Sequence, residues 1–577
     1  MNIPVDPEST SATPDPFGDF LIPWFMSTKE CLSAEEVLAG LLDHGLFSEK
    51  VPPCFTTVGL ETIVLETMAA LLKEADENRL RTRIKKCAHD YIRYESLRDI
   101  NIPRQMGIPH PHAYAAQALA ISKHWQEIAT HCNQPSPAVS RIYVQHVGTG
   151  RIFEMNYKGN DRFRHEESDL QWMAGAQFLV EADISRCFQS IYSHSIPWAL
   201  HGQNKSKETG DLTALTGNVL DLCTTIVRDK QTNGVVIGPH SSNIISEIVL
   251  TSIDAQLQGK GYKKLLRHID DYRYFANSHD DAEAFIRDLG LCLRTYECSL
   301  NERKTRIVPL PRPSDEDWVL ALNRFQFPND GEVKWSVVRS YLDLALECAQ
   351  KSGKSTPLNY AIKTLASCTD YDSDRGCTTT APRKLNTRAK KLYAQEAMNL
   401  ALSYPYLVPL LEHQVFDLYW HDELKPKIAE FATLLVKLGI RKLYPDSIAH
   451  GLYFALKYGA TLELLDRELV EVVAFDDCIS NVLLLEYGMF REREKLVRAV
   501  RKRARSLKGG VRRELDRQWL LLYQVWTEND LKGNGQEFLA MLKAKDFKFF
   551  LMPVHKLEQP AAEDAGAGQM TPTSEVG

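Results

Sequence analysis

Apolar residues change their period twice along this 577-residue chain. Near the start, Val37, Leu38, Leu41 and Leu42 recur at helical spacing, which predicts a helix from Ala34 to His44. The double proline of the VPPCF segment that follows imposes extended backbone. A second, longer helical stretch is expected from about Thr57 to Ala75. Through the middle, short β-rich runs at 141–146, 151–156 and 177–182 alternate with helical ones. The strand-like runs LLRHID and DYRYFAN meet at an aspartate pair, so this part reads as α+β. From about Ser336 strands vanish, and apolar residues fall at i, i+3 and i+4, as in Phe431, Leu434, Leu435 and Leu438 or Leu452, Phe454, Ala455 and Tyr458. Residues 336–557 are therefore expected to be almost wholly helical, with a faint repetition of helix pairs but no fixed period.

Composition narrows this picture. Hydrophobic residues make up 44 %, enough for a sizeable core, and the length implies several domains or one large domain with appendages. Residues 1 to about 17, and the tail from about Glu558, are rich in Pro, Ser, Thr, Ala and acidic residues and are expected to be disordered. The twelve cysteines include no CxxC pair, which argues against a zinc site and fits a reducing cytosol. No apolar run reaches membrane-spanning length, and the start MNIPVDPEST lacks the features of a signal peptide, so a cytoplasmic protein without a membrane partner is expected. The net charge of -6 says little about polyanion binding, which depends on local patches. One such patch stands out: residues 491–517 hold twelve Lys or Arg against four Asp or Glu. A solvated helix face laced with ion pairs is the plain reading. A phosphate-binding stripe through Arg498, Arg501, Lys502 and Arg505 is slightly favoured in so acidic a chain.

Three segments carry candidate chemistry together. In VEADISRCFQSIYSHSIPWALHG an apolar strand delivers Asp183, followed by a helix-like stretch with Phe188. In NGVVIGPHSSNIISEIVLTSID a turn with Gly234, Gly238 and Pro239 opens a long helix, near whose start Ser241 and Ser242 are candidate caps. In LLRHIDDYRYFAN apolar residues flank Asp270 and Asp271, as at a hairpin tip. A lone Asp-Asp pair is usually a solvated turn, Phe188 is by itself an ordinary core residue, and His268 has no ligand-spaced partner. Three mutually repelling carboxylates on ordered elements mean more, because divalent cations would relieve their repulsion. Mg²⁺ takes oxygen ligands and completes its octahedron with substrate phosphate, and two such ions serve an in-line displacement at phosphorus. A glycine turn feeding a helix N-terminus would present backbone N–H groups to a nucleotide.

These segments resemble motifs A, B and C of the reverse-transcriptase palm. The aspartate pair stands in the pattern R-x-x-D-D-Y-x-x-F, with His268 where an aromatic is usual. That version is similar to the bacterial abortive-infection and defence-associated reverse transcriptases. SLNERKTRIVPLP resembles motif D, with Lys304 as its lysine, RQMGIPHPHAYAAQALAISKHW resembles the fingers segment of the same group, and KVPPCFTT near the N-terminus is also similar to these relatives. The resemblance implies a right-hand polymerase of fingers and palm over 45–330, an N-terminal extension over 1–44, a helical, repeat-like thumb or C-terminal domain over 331–557 and a tail over 558–577. It implies metal ligation by Asp183, Asp270, Asp271 and the Ile184 carbonyl, with two Mg²⁺ or Mn²⁺ ions. Phe188 becomes the sugar gate, Gly238 and Pro239 line the nucleotide, and Lys304 meets the triphosphate or the leaving pyrophosphate. Ile237 stands where motif B often has Gln, which leaves the template contact there in question. The implied activity is RNA-directed DNA synthesis from dNTPs in antiphage defence. A dedicated noncoding RNA, a protein hydroxyl as primer, untemplated addition, a partner reverse transcriptase and a homo-oligomer all stay open. Two rival readings are a catalytically dead palm that scaffolds RNA and an RNA-dependent RNA polymerase. The intact aspartates weigh against the first and Phe188 against the second.

Overall fold

The computed structural model describes residues 32–98, 102–134, 143–144, 153–154, 172–313, 316–328, 331–372, 377–421 and 423–553. The two ends expected to be disordered lie outside these, as does most of 141–156, of which Tyr143–Val144 and Phe153–Glu154 pair antiparallel. The described residues fall into two compact units: one holds 32–96, 104–317 and 504–549, the other the short link before 104, then 318–503 and 550–553. This division differs from a break near 330, because the chain returns to the first unit at 504–549. Helical periodicity shows which face of a helix is apolar, but it carries no information on which body that face packs against.

In the first unit, α1 (Ala34–His44) matches its expected bounds. Ser33 and Glu36 close a capping box at its start, and Val37, Leu38, Leu41 and Leu42 are buried. The stretch expected to run from Thr57 to Ala75 is shorter: Gly59, with φ of 91°, sets the start of a helix at Leu60–Met68, and a 3₁₀ turn at Leu71–Lys73 follows. Strands β1 (Tyr91–Leu97) and β2 (Pro103–Pro109) form a two-stranded sheet. Helix α2 (Pro111–Lys123) begins with proline at its first position, where no N–H is needed.

The central sheet is built from β3 (Phe178–Asp183), β4 (Leu265–His268), β5 (Asp271–Ala276) and β6 (Arg306–Pro309) in the order β4-β5-β3-β6, antiparallel throughout. Leu179, Leu266 and Phe275 bury one side of it against Trp172, Met173, Ala176 and Leu310. Two helices complete the core. α3 (His240–Gly259) is buried along nearly its whole length. α4 (His279–Thr295) is capped by Ser278 and buries Ala282, Phe285, Leu289, Cys292 and Leu293. Tyr274 of β5 stacks on Phe285 with ring centroids 4.5 Å apart. Each large apolar side chain withdrawn this way contributes about 1.5–3 kcal/mol, which fixes the sheet as a rigid base for whatever its strand ends carry.

The second unit is a succession of helices, including Trp335–Ser352, Thr356–Ala366, Thr387–Ser403, Leu424–Lys442, Pro445–Lys457 and Cys478–Phe490. Leu424–Lys442 and Pro445–Lys457 meet at two glycines. A Cβ on Gly439 would stand 2.6 Å from Ile448, and one on Gly451 would stand 2.6 Å from Val436. One antiparallel strand pair, Cys368–Asp372 with Cys377–Ala381, interrupts the expected helical run.

Candidate active site

Sheet register brings the three aspartates together. Asp183 ends β3, and its direct partner on β5 is Asp271. β4 and β5 are joined by a two-residue turn, Ile269–Asp270, flanked by the pair His268–Asp271. The Ile184 N–H donates to the Asp270 carbonyl at 3.1 Å, which ties the turn to the end of β3. Ile269 sits at φ 57°, where a β-branched residue costs about 1–2 kcal/mol. Two-residue hairpins usually place Gly or Asn at such positions, so this tip holds strain of the kind that clusters at functional sites.

The electrostatics agree with crowding. Burial and the nearby Asp183 carboxylate raise the pKa of Asp270. Burial, then Asp270 and Asp183, push Asp271 up to about 6. Asp183 itself is 5 % exposed and fully partnered. Its Oδ1 accepts from Asn301 Nδ2 at 2.8 Å, and its Oδ2 meets Lys304 Nζ at 2.7 Å. The Asn301 N–H also donates to the Asp183 carbonyl at 2.8 Å, and the Ser185 N–H to the Ser299 carbonyl at 2.8 Å. The motif D segment thus lies alongside the end of β3. The bond to Asp183 raises the Lys304 pKa and keeps it an ammonium. Arg104 of β2 adds a positive charge that draws the Asp270 pKa back down.

The donor set suits divalent cations chemically: three hard oxygen ligands whose mutual repulsion a cation would relieve. The oxygens do not converge on one point as they stand. Among the described residues, the triples of ligand atoms lying within 4.8 Å of one another are His89–His110–Asp516, His279–Asp280–Glu283 and Glu412–His413–Asp417. At the aspartates, the Lys304 ammonium stands on Asp183 where a cation would sit. The first triple is ill suited to share an ion, since the His89 and His110 rings stack 3.7 Å apart and nearly parallel, so their in-plane lone pairs cannot meet. The second is solvent-exposed, and the third is already neutralised by Lys457.

On the expected nucleotide side, Phe188 lies on the one-turn helix Cys187–Ser190 and is 9 % exposed. Its carbonyl accepts the Val235 N–H at 2.7 Å, which binds this turn to the glycine segment. Gly238 has φ 132°, and a Cβ there would stand 3.0 Å from the Gly107 carbonyl of β2. The Gly107 N–H in turn donates to the Ile237 carbonyl at 2.8 Å. Glycine is therefore required at 238 by close backbone packing on β2. Pro239 is buried as the residue preceding α3, and neither Ser241 nor Ser242 caps that helix. The expected display of free N–H donors is reduced, since the His240 N–H is spent on the Gly45 carbonyl and the Ser242 N–H on the Pro239 carbonyl. His268 is a strand residue, paired with Asp271.

Sequence reasoning missed Asn301, Arg104 and Arg267. The Arg267 side chain is fully buried beneath the turn. Its Nε donates to Asp254 at 2.9 Å, its NH2 group meets Asp254 at 2.8 Å and also bonds Glu247, and its NH1 group reaches Glu247 at 3.3 Å and the Ile269 carbonyl at 3.0 Å. The Tyr272 hydroxyl donates to Asp254 at 3.0 Å. For Arg267 the signals were its place at the head of the pattern R-x-x-D-D-Y-x-x-F and its charge inside the apolar run LLRHI, neither of which assigned it a role.

The basic run divides. In the helix Glu494–Ser506, Leu496, Val500 and Ala504 are buried. Arg503, Lys508, Arg513 and Arg517 are spent on Asp476, Asp530, Asp229 and Asp90 at 2.6–2.8 Å. Arg498 pairs with Glu494 at 3.2 Å, both largely exposed. Arg501, Lys502 and Arg505 are exposed and have no carboxylate partner among the described residues.

Residues 103–339 match the family model described as reverse transcriptase (RNA-dependent DNA polymerase). That stretch contains the three aspartates, Phe188, Gly238 and Lys304. No curated protein matches the chain. Among solved structures, apo telomerase from Candida tropicalis is similar at 9 % identity and a TM-score of 0.27, over 80 % of this chain and 67 % of that one.

Proposed function

We propose that this chain, which carries a reverse transcriptase domain over residues 103–339, is an RNA-directed DNA polymerase whose metal-binding carboxylates are Asp183, Asp270 and Asp271. The observation that carries this reading is the β3–β5 register, which sets Asp183 opposite Asp271 with Asp270 on the adjoining turn. The three aspartates, with the Ile184 carbonyl, would hold two Mg²⁺ or Mn²⁺ ions. Such ions supply the charge that makes a 3′-hydroxyl nucleophilic and steadies the departing pyrophosphate. In the reaction the 3′-oxygen bonds to the α-phosphorus of a dNTP, its proton is lost to solvent, and pyrophosphate leaves.

The chain's own residues have distinct parts. Lys304 leaves Asp183 when the site fills, and its largely exposed side chain brings the ammonium to the triphosphate. Phe188 presses on the sugar and disfavours a 2′-hydroxyl. Gly238 and Pro239 form the turn beside the base. Arg501, Lys502 and Arg505 offer unspent charge to phosphates of RNA or nascent DNA, and Arg498 on the same helix joins them by leaving its exposed pair with Glu494. A bacterial, cytoplasmic role in antiphage defence follows from the motif resemblance. The same resemblance leaves open a dedicated noncoding RNA template or untemplated addition, a protein hydroxyl as primer, and a partner reverse transcriptase or second copy. No described helix is long and apolar enough to cross a membrane.

The test is incorporation of each labelled dNTP, singly and together, by the protein purified with its bound nucleic acid. Wild type is compared with Asp270→Ala/Asp271→Ala, before and after protease and RNase. Labelled DNA that is absent from the double variant is the expected result. Label that migrates with protein until protease treatment adds protein priming, and RNase sensitivity adds an RNA template. Equal use of NTPs by wild type overturns the dNTP assignment. No incorporation under any condition favours an RNA-binding scaffold.

A further inference from the structure

We propose that Arg267 is a positioning residue for the aspartate pair: it holds the Ile269 carbonyl, and through it the strained turn that presents Asp270 and Asp271. This rests on the reading of those aspartates as metal ligands. Glu247 and Asp254 lie two turns apart on α3, hence on one face, and both address the guanidinium. Four guanidinium N–H groups have a hydrogen-bond acceptor, one in Asp254, two in Glu247 and one in the Ile269 carbonyl, and the NH2 group also stands 2.8 Å from Asp254 as an ion pair. Only arginine has a planar fork that can serve three acceptors in this way.

A buried ion cluster is a poor source of stability, because desolvation of the charges offsets most of their attraction. What this cluster does locally is specific. Ile269 lies in the left-handed region, and the residue after it is Asp270. Without a fixed acceptor for its carbonyl, an isoleucine would relax toward φ below zero and swing Asp270 away from Asp183. β4 carries Arg267 directly opposite Tyr272 of β5, whose hydroxyl fastens Asp254 in turn. The clamp therefore grips both strands at the base of the turn.

Two variants separate positioning from bulk stability. Arg267→Lys keeps the charge but loses the fork. The fourfold variant Arg267→Met/Glu247→Leu/Asp254→Leu/Tyr272→Phe replaces the cluster by apolar groups of similar size, an exchange that is often neutral or stabilising. Each is measured for thermal unfolding and, by electron paramagnetic resonance of free Mn²⁺, for metal affinity. The expected result is a fourfold variant that melts at or above the wild-type temperature yet binds Mn²⁺ about 10–100-fold more weakly, the range typical for loss of a group supporting metal ligands. Arg267→Lys shows the same loss of affinity. A fourfold variant with wild-type Mn²⁺ affinity overturns the proposal. Should that variant fail to fold, Arg267→Lys decides on the same readout. If Mn²⁺ binding by wild type survives Asp270→Ala/Asp271→Ala, the metal-site reading itself falls, and this is seen without any change at Arg267.

Discussion

At the scale of single residues, the aspartates are crowded before any cation arrives. Asp271 titrates near 6 in the folded chain, against an ordinary value of 3.8. The folded state therefore holds this proton more tightly than the unfolded state. The resulting stability is full below about pH 4 and is lost as the pH rises through about 6. Metal-free protein at pH 8 consequently carries unrelieved repulsion. Asp271→Asn should raise its thermal stability at pH 8, by on the order of 1 kcal/mol since the carboxyl is only partly withdrawn from water and is screened by it, and should change little at pH 4. Differential scanning calorimetry at both pH values checks this, and a variant less stable at pH 8 would mean that Asp271 has a stabilising partner. Gly238→Ala tests the turn beside it: a φ of 132° and a Cβ 3.0 Å from the Gly107 carbonyl should cost about 1–3 kcal/mol, read as a lower urea midpoint. The three aspartates were legible because each interrupts or ends an apolar run. Asn301 and Arg104 were not, since what makes them matter is proximity across the fold to Asp183 and Asp270. Arg267 was visible as the head of R-x-x-D-D-Y-x-x-F and as a charge inside an apolar run, but its partners on α3 were not.

At the scale of elements, the N-terminal helix was readable to its ends from its apolar stripe, and the structure adds a capping box of Ser33 and Glu36 at its start. The sheet was readable as separate strands, but its order was not, since alternation names a strand's faces and never its neighbours. The strand pair Cys368–Asp372 and Cys377–Ala381 was hidden inside a helical composition. The π-helical turn Glu412–Phe416 was equally hidden. That turn carries the buried Glu412 carboxylate, which accepts from the Tyr453 hydroxyl at 3.0 Å and pairs with the Lys457 ammonium, itself 3.7 Å from Asp417. Breaking such a buried pair from one side leaves an uncompensated charge. Lys457→Met alone should cost about 3–5 kcal/mol, whereas Glu412→Gln/Lys457→Met should recover most of that loss. Chemical unfolding of the two single variants and the double variant closes the cycle. Equal, additive losses would show that the pair is open to water and contributes little.

At the scale of the whole molecule, the chain's return to its first unit at 504–549 is held by a polar cluster around Asp516. This carboxylate accepts from His89 Nδ1 at 2.9 Å, from the Asp90 N–H at 3.0 Å and from Gln536 Nε2 at 2.9 Å. Gln536 Oε1 accepts from His110 Nε2 at 2.9 Å, and Arg517 reaches Asp90 at 2.8 Å. Trp519 and Phe549 stack edge to face nearby at 4.9 Å, and the Thr56 N–H donates to the Phe549 carbonyl at 2.9 Å. Asp516→Ala would orphan three buried donors at about 1–3 kcal/mol each, so a loss of at least about 3 kcal/mol is expected. Hydrogen exchange should show that loss as faster exchange in 504–549 and β2. The same cluster sets a pH response. Burial first, then neighbouring positive charge, holds His89 and His110 well below the usual 6.5, and His112 at about 4. The unfolded chain takes up these protons before the folded one does. The cluster's contribution is thus present above about pH 6.5 and declines as the pH falls below it. Protection of 504–549 should weaken between pH 6.5 and 5 in wild type. A segment equally protected at pH 5 would mean that the histidines are protonated in the folded chain and that Asp516 holds them as ion pairs.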